Sequence, residues 1–121
     1  LAEVIALVRR KEAETGRTIG LYPETKHPTY FQGIGLPLEA PLVKVLHEAG
    51  YRGAGAPVFI QSFETGNLKE LNGLTDLRLI QLVAADGAPY DLVAAGDNRR
   101  YADLLTGAGL AAIAAYADGI G

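Results

Sequence analysis

The residues best suited to chemistry in this sequence are Glu24 and Lys26, which follow a short apolar run at positions 19–22 and the helix-breaking Pro23. Side chains two positions apart in an extended chain point to the same side. The carboxylate can hold a cation there and the ammonium an anion. Since loops at the carboxyl ends of parallel strands surround the ligand pocket in α/β proteins, we expect this pair to lie in such a loop.

Apolar periodicity predicts the elements that position this pair as alternating strands and helices. Helices are predicted from residue 1 to Gly16, over 38–49, over 65–72, over 98–105 within a long excursion at 84–105, and from a Thr106 cap to about residue 116. Strands are predicted over 18–22, ended by Pro23 and buried on both faces, then over 58–62 and 77–83, with a fourth beginning at 117–120. The segment 25–35 is predicted to be an irregular loop. No tight hairpin joins these strands, so they must pair in parallel through crossover helices.

The inward faces of the outer helices follow from the same spacing. The first helix is predicted to bury Leu1, Val4, Ile5 and Val8, and the last to bury Leu110 and Ile113. His47 falls outside the apolar stripe of its helix and is interpreted as solvated surface.

Composition restricts the classes of protein that the chain can represent. The chain has 121 residues, a formal charge of −3, no cysteine and no methionine. The acidic balance and the lack of a basic cluster argue against nucleic acid as a partner, and the sequence offers no apolar run that could anchor it stably in a membrane. A complete β/α barrel usually needs roughly 250 residues, so we expect a fragment of one domain, truncated at both ends.

Four separated segments share the pattern of a known enzyme family. They are Tyr-Pro-Glu-Thr-Lys-His-Pro at 22–28, Leu-Pro-Leu-Glu at 36–39, Val-Phe-Ile-Gln-Ser-Phe-Glu at 58–64 and Asn-Leu-Lys-Glu-Leu at 67–71. Together they resemble the glycerophosphodiester phosphodiesterases, particularly their longer bacterial periplasmic branch. The family's early His-Arg-Gly segment, its paired metal carboxylates and its later His-Asp are not in this sequence. The chain is therefore expected to be the later part of a (β/α)8 TIM barrel.

The resemblance also implies a reaction and roles in it. It implies metal polarisation of a phosphodiester, attack by the neighbouring glycerol hydroxyl to give a cyclic phosphate, and acid–base exchange through two histidines that this chain lacks. Glu24 matches a ligand for Ca²⁺ or Mg²⁺, Lys26 matches an active-site lysine, and Ser62 with Phe63 matches a pair that lines the pocket. The substrate would be a small glycerophosphodiester and the location periplasmic or secreted.

Each of these residues could also have a purely structural role. Glu24 could be a solvated acid and Lys26 an exposed loop lysine, while Ser62 and Phe63 could simply finish a strand. Gln61 is predicted to contact substrate, and Gln81 is predicted to face the interior of the barrel beside it. The alternative is that both glutamines lie on the surface. His27 is a loop residue or an outer contact.

Arg99 and Arg100 could clamp a phosphate or be solvated. Functional alternatives are a non-catalytic binding or interaction domain and a related barrel phospholipase. With only part of a barrel present, the open sheet edges are expected to favour self-association or pairing with the missing half.

Overall fold

A short parallel sheet with helices packed on one of its faces organises the chain, and the computed structural model describes residues 1–121. The helices are α1 (Ala2–Thr15), α2 (Pro28–Gly33), α3 (Glu39–Glu48), α4 (Thr65–Leu74), α5 (Tyr90–Ala94), α6 (Tyr101–Leu104) and α7 (Gly107–Ile113), and the strands are β1 (Phe59–Ser62), β2 (Arg78–Gln81) and β3 (Gly119–Ile120).

The three strands lie side by side in chain order, and both pairings are parallel. Phe59 is opposite Arg78, and Ile80 is opposite Gly119. The predicted parallel sheet with crossover helices is confirmed, and a mixed α/β fold of this kind is consistent with part of a β/α barrel.

A fourth extended segment, residues 21–25, lies along the other side of β1. Leu21 N donates to Pro57 O at 2.8 Å, and Thr25 N donates to Gln61 O at 3.1 Å. Pro23 lacks an N–H, so it removes one hydrogen bond, but its carbonyl still accepts from Gln61 N at 2.9 Å. The prediction that Pro23 ends the strand was therefore wrong, because the extended pairing continues to Thr25.

This segment is also not buried on both faces, as was predicted. Leu21 packs into the core, whereas the Tyr22 side chain is 52% exposed on the opposite side. Helices cover only one face of the sheet here, which leaves Tyr22 against the ring of Phe59, with 6.0 Å between centroids.

The longer helices form where the apolar spacing predicts them. Gly16 ends α1 with φ +67° and donates its N–H to Glu12 O, a conformation that glycine adopts without a Cβ clash. Thr106 caps α7, as predicted, and accepts from Gly109 N at 3.1 Å. In α4, Leu68 and Leu71 are fully buried against the sheet.

Other details of the helices differ from the prediction. Leu1 and Val4 are exposed, since α1 meets the core only through the side that carries Ile5 and Val8. The helix predicted to reach residue 116 ends at Ile113, and it buries Ile113 but not Leu110.

Each of the two irregular regions contains one helix that the sequence patterns did not predict. Within the predicted loop 25–35, α2 begins at Pro28, where a missing N–H is harmless. In the long excursion, α5 follows Pro89, and the helix predicted over 98–105 is confined to Tyr101–Leu104.

His47 is not solvated surface as was predicted. It is half-buried at the end of α3, with Nε2 2.9 Å from the hydroxyl of Thr75. No helix in this chain combines the length and the apolar character that a membrane crossing requires.

Candidate functional site

A cavity of about 400 Å³ lies beyond the carboxyl ends of β1 and the extended segment 21–25. Its walls come from these two chain ends, from the start of α2 and from the excursion that carries α5 and α6. The lining residues are Glu24, Thr25, Lys26, His27, Pro28, Ser62, Phe63, Glu64, Ala88, Tyr90 and Tyr101. The position agrees with the rule that ligand sites in parallel sheets lie at the carboxyl edge.

Glu24 and Lys26 both line this cavity and lie on the same side of the extended segment. Lys26 Nζ is 3.6 Å from Glu24 Oε2. The side chain of Glu24 is only 22% exposed, whereas that of Lys26 is 77% exposed and free to reach a ligand. The predicted geometry of the pair is therefore present in the structure.

The backbone between these two residues is held by a polar network that begins at the buried side chains of Thr25, Asn67 and Glu39 and reaches the surface at Gln32 and Glu70. Thr25 Oγ1 donates to Asn67 Oδ1 at 2.7 Å, and the Asn67 amide donates to Glu39 Oε1. Gln32 Nε2 donates to Glu39 Oε1 at 2.9 Å and to Glu70 Oε2 at 3.1 Å. Burial, followed by the charge of Glu39, raises the pKa of the Glu70 carboxyl. This network fixes the Glu24 and Lys26 backbone to α3 and α4.

A second carboxylate, Glu64, lies in the cavity wall and is 2% exposed. Its Oε2 accepts from the backbone N–H of Thr29 at 3.0 Å and from the Thr29 hydroxyl. Its Oε1 is buried and has no hydrogen-bond partner. Glu64 thereby ties the start of α2 to the end of β1, and it keeps one oxygen unsatisfied.

Ser62 and Phe63 occupy different positions in this wall. Ser62 is fully buried, and its hydroxyl donates to Thr25 O at 3.4 Å and accepts from Glu64 N at 3.2 Å. Phe63 is 37% exposed beside the cavity. Ser62 thus links the adjoining chain segments by hydrogen bonds, while the ring of Phe63 lines the cavity.

Aromatic rings complete the cavity. The rings of Phe63 and Tyr101 are 6.0 Å apart at 72°, and those of His27 and Tyr90 are 6.1 Å apart at 82°. Burial, with smaller contributions from the charges of Asp91 and Glu64, raises the pKa of the Tyr101 hydroxyl. His27 has a left-handed φ of +49°, and this turns the chain from the extended segment into α2.

Two other residues predicted near the site are engaged elsewhere. Gln61 lies outside the cavity lining, and its Nε2 donates to Tyr22 O at 3.1 Å. Gln81 is fully buried between the Phe63 carbonyl, which accepts from its Nε2 at 3.1 Å, and the Tyr116 hydroxyl, which donates to its Oε1 at 2.9 Å.

The predicted arginine pair also lies away from the cavity. Arg99 forms a forked ion pair with Asp97, with 2.7 Å between Arg99 Nη2 and Asp97 Oδ2. The side chain of Arg100 is exposed at the start of α6. Neither arginine lines the cavity that contains Glu24 and Lys26.

The donor atoms at this cavity are of the type that Ca²⁺ and Mg²⁺ prefer, because carboxylate oxygens are hard ligands. Glu24 is the donor that the cavity leaves accessible. No group of three or more His, Cys, Asp or Glu side chains gathers in this chain at metal-binding distance. Further ligands would be needed for a complete metal centre.

Sequence patterns did not indicate Glu64, Asn67, Glu39, Tyr90 or Tyr101 as site residues. Each comes from a different element, and only the packing of those elements brings them together. Three of them carried a local signal, since Glu39, Glu64 and Asn67 lie in the segments at 36–39, 58–64 and 67–71 that resemble the enzyme family.

The fold and the cavity define a parallel α/β protein with an acid and an amine at the carboxyl edge of its sheet. The chain matches no family model. It is 29% identical over 128 aligned positions to a glycerophosphodiester phosphodiesterase of Haemophilus influenzae, covering 97% of this chain and 35% of that protein. A glycerophosphodiester phosphodiesterase of Treponema pallidum is 28% identical, with 98% of this chain and 36% of that protein covered.

A plant protein shows the same level of similarity. Glycerophosphodiester phosphodiesterase GDPD6 of Arabidopsis thaliana is 29% identical over 117 positions, with 87% of this chain and 30% of that protein covered. The chain is thus related to the glycerophosphodiester phosphodiesterases, which confirms the resemblance seen in the sequence. It spans about a third of the length of these curated relatives.

Proposed function

We propose that this chain forms part of a metal-assisted phosphodiester hydrolase that converts a glycerophosphodiester into glycerol 3-phosphate and an alcohol. The observation that carries this proposal is the pairing of Glu24 and Lys26, 3.6 Å apart, in a cavity at the carboxyl edge of a parallel sheet. Two bacterial proteins that are named for this activity align with almost the whole chain, which supports the same assignment.

Lys26 would bind the phosphoryl oxygens. Its ammonium is exposed beside Glu24, at the mouth of the cavity, so it can neutralise the negative charge that grows on those oxygens during cleavage. Glu24 would provide one ligand to a bound Ca²⁺ or Mg²⁺, which when present polarises the phosphate. Phe63 and the other rings would give one side of the cavity an apolar surface. The chain offers no histidine pair for proton transfer, so we expect it to be inactive by itself.

A chimeric enzyme tests this proposal. The aligned region of the Haemophilus influenzae relative would be replaced by residues 1–121, and hydrolysis of glycerophosphocholine would be measured with Ca²⁺. We expect turnover, and we expect Lys26→Gln to lower kcat by about 10²- to 10³-fold, because a charge that stabilises the transition state is lost.

Lys44→Gln is the matched control, since Lys44 is an exposed lysine of α3 that lies away from the cavity. The proposal would be wrong if a folded chimera hydrolysed the substrate equally well with Lys26→Gln and with Lys44→Gln. Circular dichroism of each chimera establishes folding before the rates are compared.

We also infer that the open edge of the sheet associates with more polypeptide. The N–H groups of Tyr22 and Glu24 point away from β1 and form no backbone hydrogen bond, and such an edge can accept another strand. Light scattering of the isolated chain would show a species larger than a monomer. A stable monomer at high protein concentration would contradict this inference.

A further inference from the structure

We propose that Asp91 is a positioning residue, which holds α5 against the start of α4 and so closes one side of the cavity. Ala88 and Tyr90, at the start of α5, line the cavity, and we call these two residues the α5 wall. The attachment can be measured on the chain itself. Its effect on substrate binding rests on the proposed function and is measured separately.

The carboxylate of Asp91 connects α5 to α4 by hydrogen bonds. Its Oδ2 accepts from the Thr65 hydroxyl at 2.8 Å and from the Gly66 N–H at 2.7 Å. No other group of residues 84–97 forms a hydrogen bond with a residue outside the excursion at 84–105. Asp91 is therefore the one polar link between this part of the excursion and the rest of the fold.

Apolar packing anchors α6 more firmly than α5. Leu92 is the one residue that α5 buries, and it lies outside the main hydrophobic core. Tyr101 and Leu104 of α6 both belong to that core. The later part of the excursion is thus held by its own apolar side chains, whereas the earlier part depends on Asp91.

The start of α4 has a use for this carboxylate, because the residue at its N-cap is engaged elsewhere. Glu64 is that residue, yet its side chain accepts from Thr29 at the start of α2 and not from α4. N–H groups in the first turn of a helix have no partner within the helix, and a carboxylate beside them is stabilised by the helix dipole. Asp91 supplies the cap that Glu64 does not.

Gly66 leaves the room that this contact requires. A Cβ at position 66 would lie 3.3 Å from Asp91 Oδ2, so any larger residue would push the carboxylate away. The backbone at Gly66 does not have a positive φ, so a left-handed conformation does not explain the glycine. Glycine also weakens a helix relative to alanine. The close approach of Asp91 accounts for its presence here.

Tyr90 carries the position of α5 into the cavity. Its ring lies 6.1 Å from the ring of His27, at 82°, and both residues line the cavity. The rings of Phe63 and Tyr101 form a second contact, 6.0 Å apart, which belongs to α6. Loss of the Asp91 attachment should therefore separate the first pair of rings and leave the second pair in place.

NMR of the isotopically labelled chain tests the attachment. We expect Asp91→Ala to remove most of the intensity of the nuclear Overhauser cross-peaks between the rings of His27 and Tyr90. The cross-peaks between Phe63 and Tyr101 should stay unchanged. Because both contacts lie in one molecule, their comparison separates a shift of α5 from a general loss of stability.

Matched variants assign the effect to the carboxylate. Asp91→Asn keeps an oxygen that can accept from both donors of α4, so we expect it to retain the cross-peaks that Asp91→Ala loses. Asp86→Ala, which removes an exposed carboxylate of the same excursion, should change neither ring contact.

Glycine variants provide an independent test, which decides the question if Asp91→Ala does not fold. Gly66→Ala keeps every hydrogen-bonding group and displaces Asp91 through the added Cβ, so we expect it to weaken the contact between His27 and Tyr90. Gly73→Ala is the control in the same helix, because a Cβ at Gly73 meets nothing within 4 Å.

The chimeric enzyme tests what the α5 wall does for substrate. We expect Asp91→Ala to raise KM for glycerophosphocholine about tenfold and to change kcat less than about threefold, because a wall that contacts bound substrate contributes equally to the ground state and the transition state. Glu24 and Lys26 are held separately, through Thr25. Asp86→Ala should leave both constants unchanged.

Three results would overturn the attachment. They are intact ring contacts in Asp91→Ala, equal weakening of both ring contacts, and an equal effect of Asp86→Ala. A parent chimera without activity would refute the proposed hydrolase but not the attachment seen by NMR. An active chimera whose KM does not respond to Asp91→Ala would refute the role of the α5 wall in substrate binding and leave the hydrolase intact.

Discussion

Replacing Asn67 by Ala tests whether the buried network beneath Glu24 and Lys26 holds the site in place. The Asn67 amide accepts from the Thr25 hydroxyl at 2.7 Å and donates to the carboxylate of Glu39, and all three side chains are buried. The substitution removes both hydrogen bonds and leaves both partners buried. It therefore deletes the connection between the Glu24 to Lys26 backbone and α3.

The expected loss in the free energy of unfolding follows from the two hydrogen bonds that the substitution removes. A hydrogen bond to a charged group contributes about 1.5–3 kcal/mol and a neutral one about 0.5–1.5 kcal/mol. Gln32 still donates to Glu39 at 2.9 Å, so the carboxylate is not left wholly unpaired. We expect Asn67→Ala to lower the free energy of unfolding by about 2–4 kcal/mol, a large share of the roughly 5–15 kcal/mol typical of a domain.

Urea unfolding followed by circular dichroism measures this loss, together with a double-mutant cycle that includes Thr25→Val. The two substitutions share one hydrogen bond, so their effects should be less than additive by about 1 kcal/mol. Asn72→Ala is the control, because Asn72 is exposed on the same helix. An Asn67→Ala variant within about 0.5 kcal/mol of the parent chain, or strict additivity with Thr25→Val, would refute the reasoning.

Three further predictions follow from titrating groups and a helix cap. Burial and the charge of Glu39 raise the pKa of Glu70, so the folded chain binds this proton more tightly than the unfolded chain does, and stability falls as pH rises from about 4.3 through the raised folded pKa. In urea unfolding at pH 4 to 7, Glu70→Gln should make this fall in stability shallower. An unchanged dependence of stability on pH would contradict the prediction. Thr106→Ala removes the cap on Gly109 N and should lower stability by about 1 kcal/mol in thermal unfolding, whereas no change would show that the cap is dispensable. Burial, followed by the charge of Asp91, raises the pKa of Tyr116 to about 12. Ultraviolet titration should therefore find Tyr116 among the late tyrosines, together with Tyr101, whose pKa is also raised, and stability should fall as pH rises from 10 to 12. Uniform titration of all tyrosines near 10 would refute this prediction.

The sequence predicts those parts of the fold that depend on local patterns. The apolar spacing located the strands at β1 and β2 and the helices α3 and α4, while Gly16 and Thr106 marked helix ends through their own backbone and side-chain chemistry. The spacing of Glu24 and Lys26 also predicted that both side chains lie on the same side of their segment, because side chains alternate in any extended chain, whatever it pairs with.

Features that depend on tertiary partners could not be predicted in this way. Pro23 was expected to end a strand, yet the extended chain continues past it because β1 donates to its carbonyl. Val4 has the spacing of a core residue but stays exposed, since nothing packs over that side of α1. Glu64 and Tyr101 lie 37 positions apart in sequence and line the same cavity only because α6 packs beside the end of β1, where the ring of Tyr101 meets that of Phe63.

The alternation of side chains from Glu24 to Lys26 lets this triplet both present charged groups to the cavity and anchor the segment to the interior. Its outer members face the cavity, so the middle residue, Thr25, must point to the interior, where its hydroxyl bonds Asn67 and its N–H bonds Gln61. A valine there would fill the same space and keep the extended backbone, but it could not fix the rotation of the segment about its axis. The orientation of the acid and the amine is thus set by a buried hydroxyl rather than by the 3.6 Å contact between them, because an ion pair with an exposed lysine is weak.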